Sequence, residues 1–354
     1  MRTYLIVAVA LVMALTAASL YFRPRPVKLR SQPAAFFPVN ETDQRGAIGR
    51  HVRRLLEDGR FDAVEALADS FAENRSRMAS GRLKLYALYD FGFEGADRPA
   101  SAEDWVSLLG WLREWNEARP ESFVAPLAVA YALEGRAWEA RGSAAALLVP
   151  PRDFERFDAD LAEARDWLQR CPPESRRRPE WRRSALRVLH ATGPEADSVF
   201  RELLAVCLRD DPDEYTYYLI GSMHLLPRWY GAPGDVERFV DSTTAALPDS
   251  IADEYYARVV SYLAPLHGNV FDDLPGLSWP RTVRGLRQWK RNWPRSSEPL
   301  SRLASLARER DDVDETRQAF VALGDTLDFS VWESGAEYWL ARQWAEEAVK
   351  VAKR

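Results

Sequence analysis

The chain has 354 residues, of which 47% are hydrophobic and 29% are charged, and its formal net charge at pH 7 is -5. The apolar content is sufficient for a buried core and differs from that of disordered chains, which combine low hydrophobicity with a large net charge. A negative net charge argues against nucleic-acid binding through a positive field over the whole protein, so we expect no nucleic-acid partner.

The N-terminal segment is predicted to insert into a membrane. Residues 4–22 contain no charged side chain and are rich in Leu, Val and Ala, which approaches the ~20 apolar residues that a helix needs to cross a bilayer. We predict an uncleaved transmembrane anchor at residues 1–22. A cleaved signal peptide is the alternative, because Arg2 precedes the apolar run and small side chains occupy positions 16–19.

Residues 23–43 are predicted to form an extended linker, because they are basic and contain several prolines. The basic residues at positions 23–30 favour a body in the cytoplasm under the positive-inside rule. The short basic stretch before the apolar run favours export instead. The side of the membrane on which the body lies is therefore left open.

Residues 44–354 are predicted to form an all-α domain. Apolar residues recur at spacings of three and four, Gly, Pro and Asp interrupt them, and no stretch alternates convincingly as a β-strand does. Phe61, Val64 and Phe71, for example, form one apolar stripe that follows a turn at residues 58–60. This pattern indicates two helices joined by a tight corner.

Further pairs of segments show the same organisation. Residues 105–118 and 122–138 form a second predicted hairpin, and the last helix is predicted at residues 331–353. The segments resemble tetratricopeptide units, in which small residues lie where two helices cross and a bulky residue fills the next groove. The residues that match this pattern best are Leu303, Ala304, Ala307, Val313, Phe320 and Leu323, then Gly59, Phe61, Val64 and Phe71. We predict a tetratricopeptide-like solenoid of about five to seven helical hairpins.

The motif LPRWYGAPGD at residues 226–235, followed by Phe239, resembles a motif of the bacterial domain of unknown function family 4034. Supporting similarity comes from GRFD at residues 59–62, GRLKL at 81–85 and AWEARG at 137–142. The resemblance covers most of the body and implies a bacterial, tetratricopeptide-like protein without an assigned activity. With the anchor, it predicts a location at the bacterial inner membrane.

Cys171 and Cys207 are too few for a disulfide framework and lack the C-x-x-C spacing of zinc and redox sites. We expect two buried thiols that pack as small apolar side chains. One disulfide is the alternative if the body lies outside the cytoplasm.

No constellation of residues indicates a catalytic centre, a metal site or a cofactor. The four histidines lack metal-ligand spacing, and the sequence contains no nucleophile elbow, phosphate-binding loop or dinucleotide fingerprint. His267 with Asp272 and Asp273 is the nearest acid-base cluster, although an Asp in such a loop more often caps a helix. We therefore predict no catalytic residue, no metal and no cofactor. An enzyme whose site is assembled from separate loops is the least favoured alternative.

Arg228 and Trp229, in the motif at residues 226–235, are candidate partner-binding residues, because an adjacent arginine and tryptophan can face a ligand together. The structural alternative is that the arginine stacks on the tryptophan and stabilises a long corner. Pro227 is expected to end the preceding helix, and the two glycines permit a sharp reversal of the chain.

Two segments are strongly basic. Residues 176–187 contain six arginines, and such a run is usually a solvated helix start. Residues 281–295 predict an amphipathic helix whose tryptophans share one face, which is either a ligand-binding face or the packing face of a solenoid. The other faces carry the candidate partner-binding residues Arg284, Arg287, Lys290 and Arg291.

The leading functional hypothesis is a membrane-tethered protein-interaction scaffold that binds a protein or peptide partner in the groove of its helical stack. The alternative is an envelope protein that contacts anionic lipid through the basic amphipathic helix.

Overall fold

Helices dominate the chain in the computed structural model, which describes residues 37–39, 41–93, 101–142 and 148–352. The predicted anchor at residues 1–22 lies outside the described residues. Within the described ranges, no helix combines the length and apolar composition that crossing a bilayer requires. The all-α prediction is confirmed, since the described part contains sixteen α-helices and only two three-residue strands.

The helices follow one another with short connections, and a π-helical segment, Leu88–Phe93, continues α3. In chain order they are α1 (Glu41–Glu57), α2 (Phe61–Glu73), α3 (Lys84–Ala87), α4 (Ala102–Ala118), α5 (Val124–Arg141), α6 (Pro151–Arg170), α7 (Pro179–Thr192), α8 (Asp197–Asp210), α9 (Thr216–His224), α10 (Asp235–Ala245), α11 (Ala252–Leu263), α12 (Val270–Asp273), α13 (Trp279–Asn292), α14 (Glu298–Glu309), α15 (Val313–Leu323) and α16 (Gly335–Ala352).

Helices that are neighbours in sequence pack against one another, as α5 does on α6 and α14 does on α15. The corner between α1 and α2 lies where the sequence predicts it. Gly59 there has a φ of +65°, a conformation that glycine adopts without steric cost. This arrangement is the repeat-like helical packing that the hairpin pattern indicates.

Two strands were not predicted. Strand β1 (Phe37–Val39) pairs in parallel with β2 (Thr326–Asp328), so the start of the described chain is joined to its last quarter. Three residues are too few for strand alternation to be visible in a sequence. Helix α1 also begins at Glu41, inside the predicted linker, where the Glu41 carboxylate accepts hydrogen bonds from the backbone N–H and the hydroxyl of Ser80.

Large aromatic side chains fill the spaces between helices. Trp105 and Trp115 of α4 are almost completely buried, and the Trp115 ring stacks on Phe61 with the ring centroids 6.0 Å apart. Cys171 and Cys207 are buried free thiols, as predicted. Burial raises the pKa of both thiols to about 12, so they remain protonated and pack as apolar groups.

The closest crossing of α11 and α13 depends on Gly285. A Cβ atom at this position would overlap the Asp253 carbonyl and press on the Ala257 side chain. Gly110 of α4, in contrast, is exposed and has open space around the position of a Cβ atom.

Gly285→Ala is expected to lower the free energy of unfolding by about 2–3 kcal/mol, because the two helices must move apart. Gly110→Ala is the matched control and is expected to raise it by about 0.5–1 kcal/mol, because alanine is the better helix former. Urea denaturation followed by circular dichroism measures both changes. An unchanged stability of Gly285→Ala would contradict the packing described for α11 and α13.

Candidate functional site

A cavity of about 730 Å³ opens between alternate helices of the stack. Its lining comes from α1, α3, α5, α7, α9 and α11 and from the segments that adjoin them, and none of it comes from the even-numbered helices. We call it the arginine cavity. Its lining residues are Arg45, Arg82, Leu83, Tyr86, Ala87, Asp90, Glu134, Gly135, Trp138, Arg183, Arg187, His190, Tyr215, Thr216, Leu219, Ile220, Met223, Arg228, Trp229, Tyr262 and Leu266.

Paired charges form one wall of the arginine cavity. Arg183 donates two hydrogen bonds to the Asp90 carboxylate, with N–O distances of 2.6 and 3.0 Å. One turn later on α7, Arg187 lies 2.8 Å from the fully buried carboxylate of Glu134. Burial acts to lower the pKa of Arg183, but the Asp90 charge and nearby hydrogen bonds outweigh it and raise the pKa above its ordinary value. Arg183 is therefore a permanent cation.

Positive charge exceeds negative charge in the lining, which contains five arginines and two carboxylates. Arg82 is balanced by a carboxylate outside the lining, since its guanidinium lies 2.8 Å from Glu298. Among the described residues, no carboxylate forms an ion pair with Arg45 or Arg228. Burial and the nearby charge of Arg82 lower the pKa of Arg45, because the protonated form is desolvated and repelled, and the charges of Glu41, Glu298 and Asp90 offset this only in part. An anion in the cavity would favour the protonated form of Arg45 through its opposite charge.

Aromatic and aliphatic side chains form the rest of the surface. Trp138 and Trp229 meet edge to face with the ring centroids 6.2 Å apart. The Arg183 guanidinium lies 4.8 Å from the centroid of the Tyr86 ring. Tyr262 and Leu266 remain 39% and 37% exposed, which is high for large apolar side chains beside a cavity.

Two histidines and one carboxylate form a hydrogen-bonded chain that ends at the arginine cavity. His224 Nε2 lies 2.9 Å from Asp197 Oδ1, and His224 Nδ1 lies 3.1 Å from His190 Nδ1. The His224 ring also stacks on Phe200, with the centroids 3.5 Å apart. Burial, His224 and the charge of Arg187 lower the pKa of His190 to about 3. Burial also lowers the pKa of His224, so both rings are neutral at pH 7.

The motif at residues 226–235 holds the backbone of both histidines in place. The Tyr230 hydroxyl donates to the His190 carbonyl at 3.0 Å, and the Tyr230 N–H donates to the His224 carbonyl at 3.1 Å. Gly231 passes so close to Leu225 that a Cβ atom would overlap its carbonyl, and Gly234 has a φ of +84°. The two glycines therefore permit the reversal that the sequence predicted.

Two of the predicted partner-binding residues, Arg228 and Trp229, line the arginine cavity. Trp229 meets the His190 ring at 4.6 Å between centroids. Arg228 is exposed and approaches the Met223 sulfur at 4.0 Å. The guanidinium that lies over the Trp229 ring belongs to Arg141 and not to the adjacent Arg228. Its carbon atom is 5.7 Å from the centroid of the ring.

The predicted residues Arg284, Arg287, Lys290 and Arg291 lie on α13 and do not line the cavity. Arg284 pairs with Asp253 at 3.1 Å, Arg287 pairs with Glu315 at 2.8 Å, and Lys290 donates to two backbone carbonyls. Arg291 is exposed. The tryptophan face of α13 is a packing face, since Trp289 is 2% exposed and its indole N–H donates to the Ser80 carbonyl.

His267 and Asp272 are not among the residues that line the cavity. His267 Nδ1 lies 2.9 Å from Asp273 Oδ2, and Asp272 is exposed. The residue that caps α12 is Asn269, whose side chain accepts from the Phe271 N–H. No group of three or more potential metal ligands lies together in the described ranges.

Sequence reasoning missed the most informative lining residues. Residues 176–187 were expected to be solvated. Arg176 and Arg177 are exposed, whereas Arg182 is buried and bonded to Asp210 at 2.7 Å. The signal that could have identified the cavity is the spacing of Arg183, Arg187 and His190, which places three polar residues on one face of α7.

No family model matches this chain, and no curated protein is significantly similar to it. The resemblance of residues 226–235 to the uncharacterised bacterial family stays a prediction.

The free energy of unfolding should decrease as the pH is lowered, because His190 is neutral in the folded protein. Its pKa in the folded protein is about 3, below the ordinary value of 6.5, so the unfolded chain binds the proton more readily. The contribution of the neutral His190 to the free energy of unfolding is fully present above pH 6.5 and is lost as the pH falls toward 3. Between pH 7 and 5, His190→Phe should lose about 2 kcal/mol less stability than the wild type.

Urea denaturation at the two pH values tests this expectation. His51→Gln, which replaces an exposed histidine of α1, is the matched control and should retain the wild-type difference. A pH dependence that is the same in His190→Phe and in the wild type would contradict the assignment of a neutral, buried His190.

Proposed function

We propose that this protein is a membrane-tethered protein-interaction scaffold, and that the arginine cavity binds an acidic segment of a partner protein. The observation that carries the proposal is the cavity itself, in which alternate helices bring cationic and aromatic side chains to one surface. In our proposal the stack is a tetratricopeptide-like solenoid, and the odd-numbered helices provide its binding surface.

Charge complementarity supports an acidic partner. Arg45 and Arg228 form no ion pair with a carboxylate in the described part of the chain, and a guanidinium binds a carboxylate through two parallel hydrogen bonds. Arg45 is partly buried, so a bound carboxylate would be shielded from water, which strengthens the interaction. Arg228 is exposed and is positioned to attract the segment from solution.

The dimensions and surface of the cavity also suit a peptide segment. A volume of about 730 Å³ is within the range of about 300–1,000 Å³ that is typical of ligand sites. Tyr262 and Leu266 provide exposed apolar surface beside the charged wall. Aromatic residues and arginines are the side chains that contribute most to protein interfaces.

The basic helix α13 gives less support to the alternative, in which the protein contacts anionic lipid. Arg284 and Arg287 are paired with carboxylates, and Trp289, which would have to enter a bilayer interface, packs inside the protein instead. An amphipathic helix binds membranes through an exposed apolar face. Trp289 is not available for such a face.

The tether remains part of the proposal on the strength of the sequence. Residues 4–22 are apolar and uncharged, and one spanning helix is sufficient to hold a folded domain at a membrane. The proposed location is the bacterial inner membrane, with the side of the helical domain open.

A labelled, capped peptide of sequence Asp-Glu-Tyr-Glu-Asp should bind the full chain, because its carboxylates match the unpaired arginines. Arg228→Ala is expected to weaken binding about three- to tenfold, since a charge-assisted hydrogen bond is lost at a partly solvated position. Fluorescence anisotropy measures the affinity. Arg284→Ala removes an arginine that is outside the cavity and is the matched control, with unchanged affinity expected.

A second control peptide carries Asn and Gln in place of Asp and Glu. Equal binding of the acidic and amide peptides, or a loss of affinity in Arg284→Ala but not in Arg228→Ala, would contradict the proposed role of the cavity.

The full chain is expected to stay in the membrane fraction after extraction with high salt and with alkaline carbonate, and to be released by detergent. An embedded helix is held by the hydrophobic effect, which neither treatment removes. Immunoblotting of the fractions measures the distribution. Release by salt alone would indicate electrostatic attachment and would contradict the anchor.

A further inference from the structure

The hydrogen-bonded chain at the arginine cavity determines which nitrogen of each histidine carries a proton. Asp197 accepts but does not donate, because hydrogen bonds from His224 and Arg201 overcome partial burial and lower its pKa. His224 Nε2 must therefore donate to Asp197, and the neutral His224 ring is left with an acceptor at Nδ1. His190 Nδ1 must then donate to His224.

The consequence is an unprotonated Nε2 on His190. A neutral imidazole has one donor and one acceptor nitrogen, so protonation at Nδ1 leaves a lone pair at Nε2. No described residue forms a hydrogen bond with this nitrogen, and His190 lines the cavity. The cavity thus presents a hydrogen-bond acceptor within a surface that otherwise presents guanidinium donors.

This acceptor requires a partner that differs from a carboxylate. A carboxylate has no proton to donate and would be repelled by the lone pair, so the acidic groups of the segment must bind at the arginines. The group that meets His190 must donate a hydrogen bond. Arg187, one turn earlier on α7, brings N–H donors to the same wall, and a hydroxyl group can donate to one neighbour while it accepts from another.

An aromatic ring fits the surroundings of His190. Trp229 contacts the His190 ring, Trp138 meets Trp229, and Met223 also lines the cavity. Aromatic rings and the methionine sulfur pack favourably against a further ring. An aromatic side chain that carries a hydroxyl is tyrosine.

We infer that His190 accepts, at Nε2, a hydrogen bond from the phenolic hydroxyl of a tyrosine in the bound segment, so that the cavity selects a tyrosine flanked by acidic residues. This inference rests on the proposed function, and it makes His190 the specificity-determining residue of the site.

A role for His190 as a general base is less consistent with its surroundings. Burial, His224 and the charge of Arg187 lower its pKa to about 3, whereas an efficient base has a pKa near the operating pH. The same shift suits an acceptor, because the lone pair stays available throughout the physiological range.

Two capped peptides test the inference on the full chain: Asp-Glu-Tyr-Glu-Asp and Asp-Glu-Phe-Glu-Asp. The tyrosine peptide should bind the wild type about tenfold more tightly, because the phenylalanine peptide covers the acceptor without supplying a donor. His190→Phe keeps a planar ring and removes the acceptor, so both peptides should bind it with similar affinity. His51→Gln is the matched control and should retain the wild-type preference.

Nitrogen-15 NMR of the wild type, labelled in its histidine rings, provides a measurement that does not depend on a variant. His190 Nε2 is expected to carry no proton, and its signal should shift with the tyrosine peptide and not with the phenylalanine peptide.

Three results overturn the inference: equal affinities of the two peptides for the wild type, a tyrosine preference that survives in His190→Phe, or a protonated Nε2. If neither peptide binds the wild type, the proposed function fails and the inference fails with it, whereas equal binding of both peptides leaves the proposed function standing.

Discussion

The bidentate ion pair between Arg183 and Asp90 is the interaction on which the cavity depends. It joins α7 to the π-helical segment that continues α3, although the two residues are 93 positions apart in the chain. Both side chains are largely shielded from water, at 14% and 23% exposure. Removal of one partner from such a pair leaves an uncompensated charge, which typically costs about 3–5 kcal/mol. The pair therefore connects these two elements, and Arg187 with Glu134 adds α5 to the same connection.

The charge of the rest of the arginine cavity depends on which of its charged side chains form ion pairs. The carboxylates of Asp90 and Glu134 are engaged by α7, and Glu298 is engaged by Arg82. Within the described part of the chain, the lining cations that form no ion pair are therefore Arg45 and Arg228. The chain of Asp197, His224 and His190 then adds a neutral acceptor to a surface of donors. In our proposal, a site of this composition distinguishes an acidic segment with a suitably placed hydroxyl from one that is only acidic, since specificity depends on buried polar groups that a wrong ligand leaves unpaired.

Helical spacing was sufficient to predict the all-α class, because each amphipathic helix must bury one stripe, and glycines such as Gly59 mark the corners. The three-residue strand pair and the start of α1 at Glu41 depend on contacts with residues far along the chain, which local patterns do not report. The same holds for the site. Arg228 and Trp229 could be selected because they form part of a compact motif, and both line the cavity. Arg183 and Arg187 were interpreted as solvated, because a sequence does not show that Asp90 and Glu134 lie opposite them.

The most direct test of the account is photo-crosslinking in intact cells, with a photoreactive phenylalanine analogue placed at position 262 or at position 321 of the full chain. Tyr262 lines the cavity, whereas Val321 on α15 is 73% exposed and lies outside it. We predict that irradiation joins position 262 to one protein, at a segment rich in Asp and Glu, and that position 321 gives no such product. Crosslinks from position 321 alone, or a crosslinked segment at position 262 that has no acidic residues, would contradict the claim that the arginine cavity is the binding site.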